Sequence, residues 1–370
     1  MDCEIGWKCD EFRGVTADFG GREQGAGLFP PRNGGRRLLL DIGEGPPPGK
    51  FPDVAGLPPV DAVILSHGHK DHVGGLSLLP ELGNPPVYAT EPVTRALPKA
   101  VAARPLPIGG KTDVLGIAVE TGRNGHAPGG IWLHFRIGGG FLYTGDICTE
   151  SLLYEYDPPA RAAATALIDC SYGDYQKPLA ECWRMLAQFV GRGPLLLPVP
   201  ANGRGPEIAL ELMRHGIDDI YVDDAMRNAL QRLAGSDQVS LRDGLRDEIE
   251  RLVQIVKPID GAHGVMLAAS ADGASGTTTK LLGQCEDTPE VTILFTGYVN
   301  PNTPAERLTK SGRAQTLRWN VHPRLADTVE TVTAVQAKTV IPAFCDRAQL
   351  PALTSALAPA HVTMDGPVEI

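Results

Sequence analysis

The stretch SHGHKDHVGG, residues 66–75, sets three histidines and one aspartate within six positions. It follows VDAVIL, which reads as a strand buried on both faces, so His67 emerges where the strand ends. Imidazole nitrogens and carboxylate oxygens are donors that suit zinc. A solvated histidine-rich turn is the bland alternative, but only nine histidines occur in the chain and they seldom cluster by accident. In an extended loop, residues two apart point the same way. His67, His69 and Asp71 are therefore expected to converge, while His72 faces a second position as a helix begins through DHVGGLSLLPEL. A structural tetrahedral site would not need so many donors, which favours two metals.

A catalytic pair of metals needs donors from elsewhere in the chain. His126 in GRNGHAPGG sits in a glycine-rich loop between strands, and Asp146 in FLYTGD closes a strand in the manner of His67. Asp41 in LLLDIG does likewise, and its carboxylate can receive a ring N–H from a metal-bound histidine. Each of these alone also reads as an ordinary strand-end or turn residue.

The 370 residues suit two packed units. Hydrophobic content of 42% and charged content of 21% are those of a soluble globular protein. No apolar run approaches the roughly 20 residues that cross a bilayer. The start, MDCEIGWKCDEF, lacks the features of a secretory signal, so a cytoplasmic location and seven reduced cysteines are expected. Cys3 and Cys9 are too far apart for a tight zinc-module pair and, like the other cysteines, read as core residues. A net charge of −10 is the wrong sign for gripping nucleic acid by broad attraction, so any such contact has to be local.

Short strand-type runs fill the first 175 residues, among them RRLLLDIG, GIWLHFRI and ATALIDCS. From Lys177 the rhythm changes to strand and helix in alternation, which suggests a parallel sheet. After about Gly312 the chain returns to a pattern like its beginning. A first domain interrupted by an inserted α/β unit explains this order better than two consecutive domains.

LLLDIG, SHGHKDH, NGHAPGG and YTGD resemble, in order and spacing, the signature motifs of the metallo-β-lactamase fold. The resemblance implies an α/β (αββα) four-layer sandwich with metals at the sheet edge. It implies one zinc on His67, His69 and His126, a second on Asp71 and His72, and Asp146 bridging the two. A hydroxide shared by two Zn2+ would be the nucleophile, with Mn2+ as an alternative occupant.

ALIDCSYGD, LLLPVPANGRGPEIALEL, VMLAAS, TILFTGYVNPNTPAERL and WNVHPRLAD are similar to successive segments of the β-CASP nucleases, a branch with an inserted Rossmann-like cap. That resemblance implies a metallo-β-lactamase domain over 1–176, a cap over 177–310, a return segment over 311–370, and a groove between cap and core. Asp169 matches the acid of the family's motif A, and His322 the histidine of its motif B. The two should meet, the carboxylate keeping His322 protonated as a general acid. Helix capping is the alternative role for His322. Arg204 in NGRGPE precedes a helix N-terminus and would receive phosphate, unless it is simply a surface arginine.

One departure matters. In KTVIPAFCDRAQ, Phe344 stands where RNA-processing members carry a metal-binding histidine. The second zinc then has one donor fewer, unless Cys345 or Asp346 moves in. The implied function is a zinc-dependent nuclease that cuts RNA to leave a 5′-phosphate and a 3′-hydroxyl. A nuclease of single-stranded DNA, or a weakly active nucleic-acid-binding scaffold, is the alternative that Phe344 favours. No membrane partner is implied, and a homodimer is admitted. His134, His215 and His361 read as structural, and His263 as a loop residue. Lys280, Arg307, Lys310 and Arg313 read equally as phosphate contacts at the groove edge or as a solvated face.

Overall fold

The computed structural model describes residues 4–6, 15–19, 36–45, 51–52, 54, 57, 59–235, 240–364 and 368–369, so the core reading of Cys3 and Cys9 lies outside the described residues. The chain divides into two compact units. The first comprises Met1–Thr149, Tyr156–Gln176 and His322–Ile370; the second comprises Glu150–Glu155 and Lys177–Val321.

Among the described residues, two seven-stranded sheets build the first unit. In one, β1 (Glu4–Gly6), β2 (Val15–Phe19), β3 (Arg36–Leu40), β4 (Ala62–Ile64), β5 (Val87–Ala89) and β6 (Ala103–Pro105) follow one another, and β20 (Val368–Glu369) lies outside β1. In the other, β7 (Gly110–Val114), β8 (Ile117–Arg123), β9 (Ile131–Phe135) and β10 (Phe141–Tyr143) form an antiparallel meander. It continues in parallel through β11 (Thr165–Asp169), β18 (Thr339–Ala343) and β19 (His361–Val362).

Period-two alternation sorts the side chains into layers. Leu38, Leu40 and Ile64 of the first sheet share one apolar core with Leu133, Phe141, Leu167 and Ile341 of the second. The intervening Leu39 and Val63 pack instead with Leu76, Leu82 and Val93 outside the first sheet. Ile168 and Val340 likewise pack with Val332 and Leu353, carried by helices Leu325–Ala334 and Leu350–Ala356, outside the second. The result is the αββα layering expected from the sequence.

The second unit holds six strands, all in parallel pairings: β12 (Leu195–Val199), β13 (Ile220–Val222), β14 (Lys257–Pro258), β15 (Val265–Ala269), β16 (Thr292–Phe295) and β17 (Gln315–Thr316). Their spatial order is β14-β13-β15-β12-β16-β17. Leu195 and Leu197 face helices Arg204–Arg214 and Arg246–Ile255 on one side, and Leu196 and Phe295 face helices Gly276–Cys285 and Pro304–Lys310 on the other. Residues 311–321, expected in the return segment, belong to this unit. The reason is local: β17 pairs with β16, and the fully buried Trp319 donates its indole N–H to Glu207.

The single helix expected through DHVGGLSLLPEL is two short pieces, an α turn at Lys70–Val73 and a 3-10 turn at Gly74–Leu78. Close approach to the loop after β3 causes the break. A Cβ on Gly74 would lie 2.7 Å from Cβ of Glu44, and one on Gly75 2.9 Å from Cγ1 of Ile42. Cys148, Cys170, Cys182 and Cys285 are buried and unbridged, and Cys345 is half-buried and unbridged. No helix among the described residues is long and apolar enough to cross a membrane.

Candidate metal centre

Three strand ends place the donors. β3 and β4 are parallel neighbours, so Asp41 and Ser66, each just beyond its strand, come together. Asp41 accepts from the Ser66 amide at 2.7 Å, the Ser66 hydroxyl at 2.6 Å, the Tyr143 hydroxyl at 2.5 Å and His72 Nδ1 at 2.7 Å. β10 delivers Asp146 through Gly145, whose φ is +54° and whose Cβ, were there one, would lie 2.6 Å from that of Ser66. Only glycine lets these two loops approach so closely. His126 follows Gly125, at φ +71°, and its amide donates to Asn124 Oδ1 at 3.0 Å.

These anchors fix the tautomers. The Ser66 hydroxyl gives its one proton to Asp41, so at its 3.0 Å contact with His67 Nδ1 it accepts, which leaves a lone pair on His67 Nε2. His72 donates from Nδ1 to Asp41 and so turns Nε2 toward Asp146 Oδ1, 3.2 Å away. His67 Nε2 and His126 Nε2 stand 3.1 and 3.0 Å from His69 Nδ1, and 3.8 and 3.6 Å from Asp146 Oδ2. Burial, followed by the neighbouring imidazoles of His72 and His69, holds His67 well below the usual histidine range. Burial also lowers His69, so both rings are neutral near pH 7. Burial opposes charge on His72, yet the Asp146 and Asp41 carboxylates outweigh it and raise that ring well above the usual value. A cation entering there displaces the proton.

The donors fall into four groups, His67–His69–His126, Asp41–His67–His72, His126–Asp146–His322 and Asp71–His72–Asp146, each with its ligand atoms within 4.8 Å of one another. Three buried atoms, His69 Nε2, His72 Nε2 and Asp146 Oδ1, have no well-aligned hydrogen bond. Poorly satisfied buried polar atoms in such a cluster are costly without a cation, so the residues fit a metal centre. Asp71 groups with His72 and Asp146, and its charge also acts on His69, in a loop that is not extended as strand alternation assumed. The helical turn at Lys70–Val73 replaces the extended chain on which that expectation depended.

His322 Nδ1 lies 2.9 Å from Asp169 Oδ2, and its ring centroid 4.9 Å from that of His126. Asp169 is fully buried, also accepting from the Ile147 amide and from the amide and hydroxyl of Ser171. Helix capping does not explain His322, because Arg324 is the N-cap of Leu325–Ala334 and pairs with Asp327. Phe344 adopts φ +59° with its ring 5.2 Å from that of His72. Beside it, Cys345 Sγ lies against Met364 Sδ at 4.0 Å, and Asp346 accepts from the Ala348 amide.

Ser66 and Tyr143 were not singled out from the sequence; for Ser66, a hydroxyl directly before the first histidine was the available signal. His134 contacts the Ala162 carbonyl at 2.9 Å, His215 stacks on Trp183, His263 pairs with Asp260, and His361 opens β19. Arg204 starts helix Arg204–Arg214 in the second unit. The expected basic edge is largely consumed internally. Arg307 pairs with Glu286, Lys310 with Glu306, and Arg313 donates to the carbonyls of Cys285, Glu286, Thr288 and Val291.

Comparison with known proteins agrees with this geometry. Residues 32–187 match the metallo-beta-lactamase superfamily. The transcription termination factor FttA of Cenarchaeum symbiosum is 32% identical over 225 residues, covering 47% of this chain and 35% of that protein. FttA of Methanosarcina mazei is 26% identical across 86% of this chain and 62% of its own length. Ribonuclease TTHA0252 of Thermus thermophilus is 28% identical across 78% of this chain and 81% of its own. The chain thus spans about a third to two thirds of the two termination factors. A crystal structure of a protein of unknown function from Enterococcus faecalis V583 has the same fold, with a TM-score of 0.60 at 12% identity over the whole of both chains.

Proposed function

We propose that this chain, whose residues 32–187 match the metallo-beta-lactamase superfamily, is a β-CASP-type, metal-dependent nuclease that hydrolyses phosphodiester bonds of RNA in the cytoplasm. The observation that carries this reading is the convergence of His67, His69, His126, Asp71, His72 and Asp146 beside the His322–Asp169 pair. The named relatives, termination factors and a ribonuclease, support RNA as substrate. In this reading the second unit is the cap.

His67, His69 and His126 would hold one zinc, Asp71 and His72 a second, and Asp146 both. Bound there, zinc would supply a water ionised near neutral pH and offset phosphate charge. The protein's own groups do the rest. Asp41 sets the lone pairs of His72 directly and of His67 through Ser66. Asp169 engages Nδ1 of His322, so Nε2 is the atom that hands a proton to the leaving oxygen.

The test is digestion of end-labelled RNA and DNA of equal sequence by zinc-loaded protein and by Asp71→Ala. Cleavage of RNA to 5′-phosphate and 3′-hydroxyl ends, lost in the variant, is expected. Preference for DNA would support the alternative that Phe344 favours. Intact RNA and DNA, with Asp71→Ala indistinguishable from wild type, would leave only a binding scaffold.

A further inference from the structure

Tyr298 is 76% exposed, the most exposed large apolar side chain among the described residues. It lies just beyond β16, where the second unit's sheet changes direction. After β12 the chain passes through helix Arg204–Arg214 to β13, toward one edge of the sheet; after the adjacent β16 it passes through helix Pro304–Lys310 to β17, toward the other. In open parallel sheets, ligands bind outside the carboxyl ends of the strands where the connections diverge in this way.

The two loops at this point touch. The Arg204 guanidinium lies directly against Gly297, so closely that a Cβ there would collide with its Nη1. Glycine at 297 therefore seats a fixed positive charge one residue from the tyrosine ring. The acids at the other strand ends are occupied. Asp223 accepts from the Met226 and Ala269 amides, and Asp272 from the Ser270 hydroxyl and the Ala274 amide. An exposed tyrosine ring one residue from the glycine against which an arginine packs offers the chemistry of one nucleotide: a base to stack and a phosphate to pair.

We infer that Tyr298 is a nucleobase platform on which an unpaired base of the substrate stacks, with Arg204 holding an adjacent phosphate. This deepens the nuclease reading and rests on it. A base can cover the ring only when out of a duplex, so the substrate is single-stranded at this position. Every base has a π-face, so the platform is tolerant of sequence.

The experiment compares wild type, Tyr298→Ala and Tyr298→Trp on single-stranded RNA and on bis(4-nitrophenyl) phosphate, which carries no nucleobase. The expected result is a KM for RNA raised about 5- to 150-fold in Tyr298→Ala. Tyr298→Trp should stay near wild type, with hydrolysis of the small diester unchanged in both. Binding of a fluorescent RNA oligomer, followed by anisotropy, should weaken in parallel even if no cleavage occurs. Wild-type affinity and KM in Tyr298→Ala would overturn the platform while leaving the nuclease reading intact. Absence of all hydrolysis by wild type, with the binding loss still present, would overturn the nuclease reading alone.

Discussion

Asp41→Asn tests the tautomer argument most directly. The Ser66 amide requires an acceptor, so the introduced side-chain oxygen must take the Oδ1 position, and the NH2 group then faces the Ser66 hydroxyl, the Tyr143 hydroxyl and His72 Nδ1. The two amide protons can serve only two of these three neighbours, and His72 cannot donate to an amide nitrogen. Its proton moves to Nε2, the atom that should bind metal. Once the Ser66 hydroxyl accepts from the new amide, its proton turns toward His67 Nδ1, and that ring is driven to the wrong tautomer too. Loss of one such partner costs about 10- to 100-fold in metal affinity. Two rings together give about 10²- to 10⁴-fold, or roughly 3–5 kcal/mol. Asparagine tolerates the φ of +59° at this position, so the fold should survive. Titration of metal-stripped protein with zinc against a chromophoric chelator reads the affinity. Ser66→Ala, which breaks only the His67 arm, should cost a single factor of about 10 to 100. A zinc affinity within threefold of wild type in Asp41→Asn would refute the reasoning.

His322→Ala should lower turnover on RNA by about 10²- to 10⁴-fold with zinc content unchanged. A diester with a 4-nitrophenolate leaving group, which needs no proton, should lose far less; equal losses on both substrates would remove the general-acid role. Phe344→His should tighten the second zinc by at least the roughly tenfold that even an outer partner is worth. Histidine accepts the φ of +59° there, and metal-to-protein ratios at limiting zinc would show the change.

The donors that ended strands were legible because a polar residue closing a buried apolar run needs a partner to offset its lost hydration; His67, Asp41 and Asp146 are of this kind. Groupings within the loop were not, since whether residues 70–73 coil or extend depends on contacts of Gly74 and Gly75 with residues 42–44, about 30 positions earlier. Glu207 shows the same limit. It reads as an ordinary acid in the first turn of a helix, yet it is 2% exposed and accepts from Ser151, Leu152 and Trp319. Burial raises its carboxyl above the usual range against those donors. Its partners are up to 112 positions away, so no local pattern marks it. Arg307 and Arg313 find their acceptors in another helix end and turn, at residues 285–291, whereas Lys310 pairs with Glu306 one turn earlier in its own helix.

Asp169 and His322 are separated by 153 positions, while the last metal donor, Asp146, precedes them both. Closing so long a loop in a flexible chain costs about 4–5 kcal/mol of entropy beyond a constant. A polypeptide still being synthesised therefore exposes every ion-binding group well before its proton donor has been translated. In the proposed nuclease reading, the ion-binding residues are thus translated first, and the proton donor follows only after the whole intervening segment has been made.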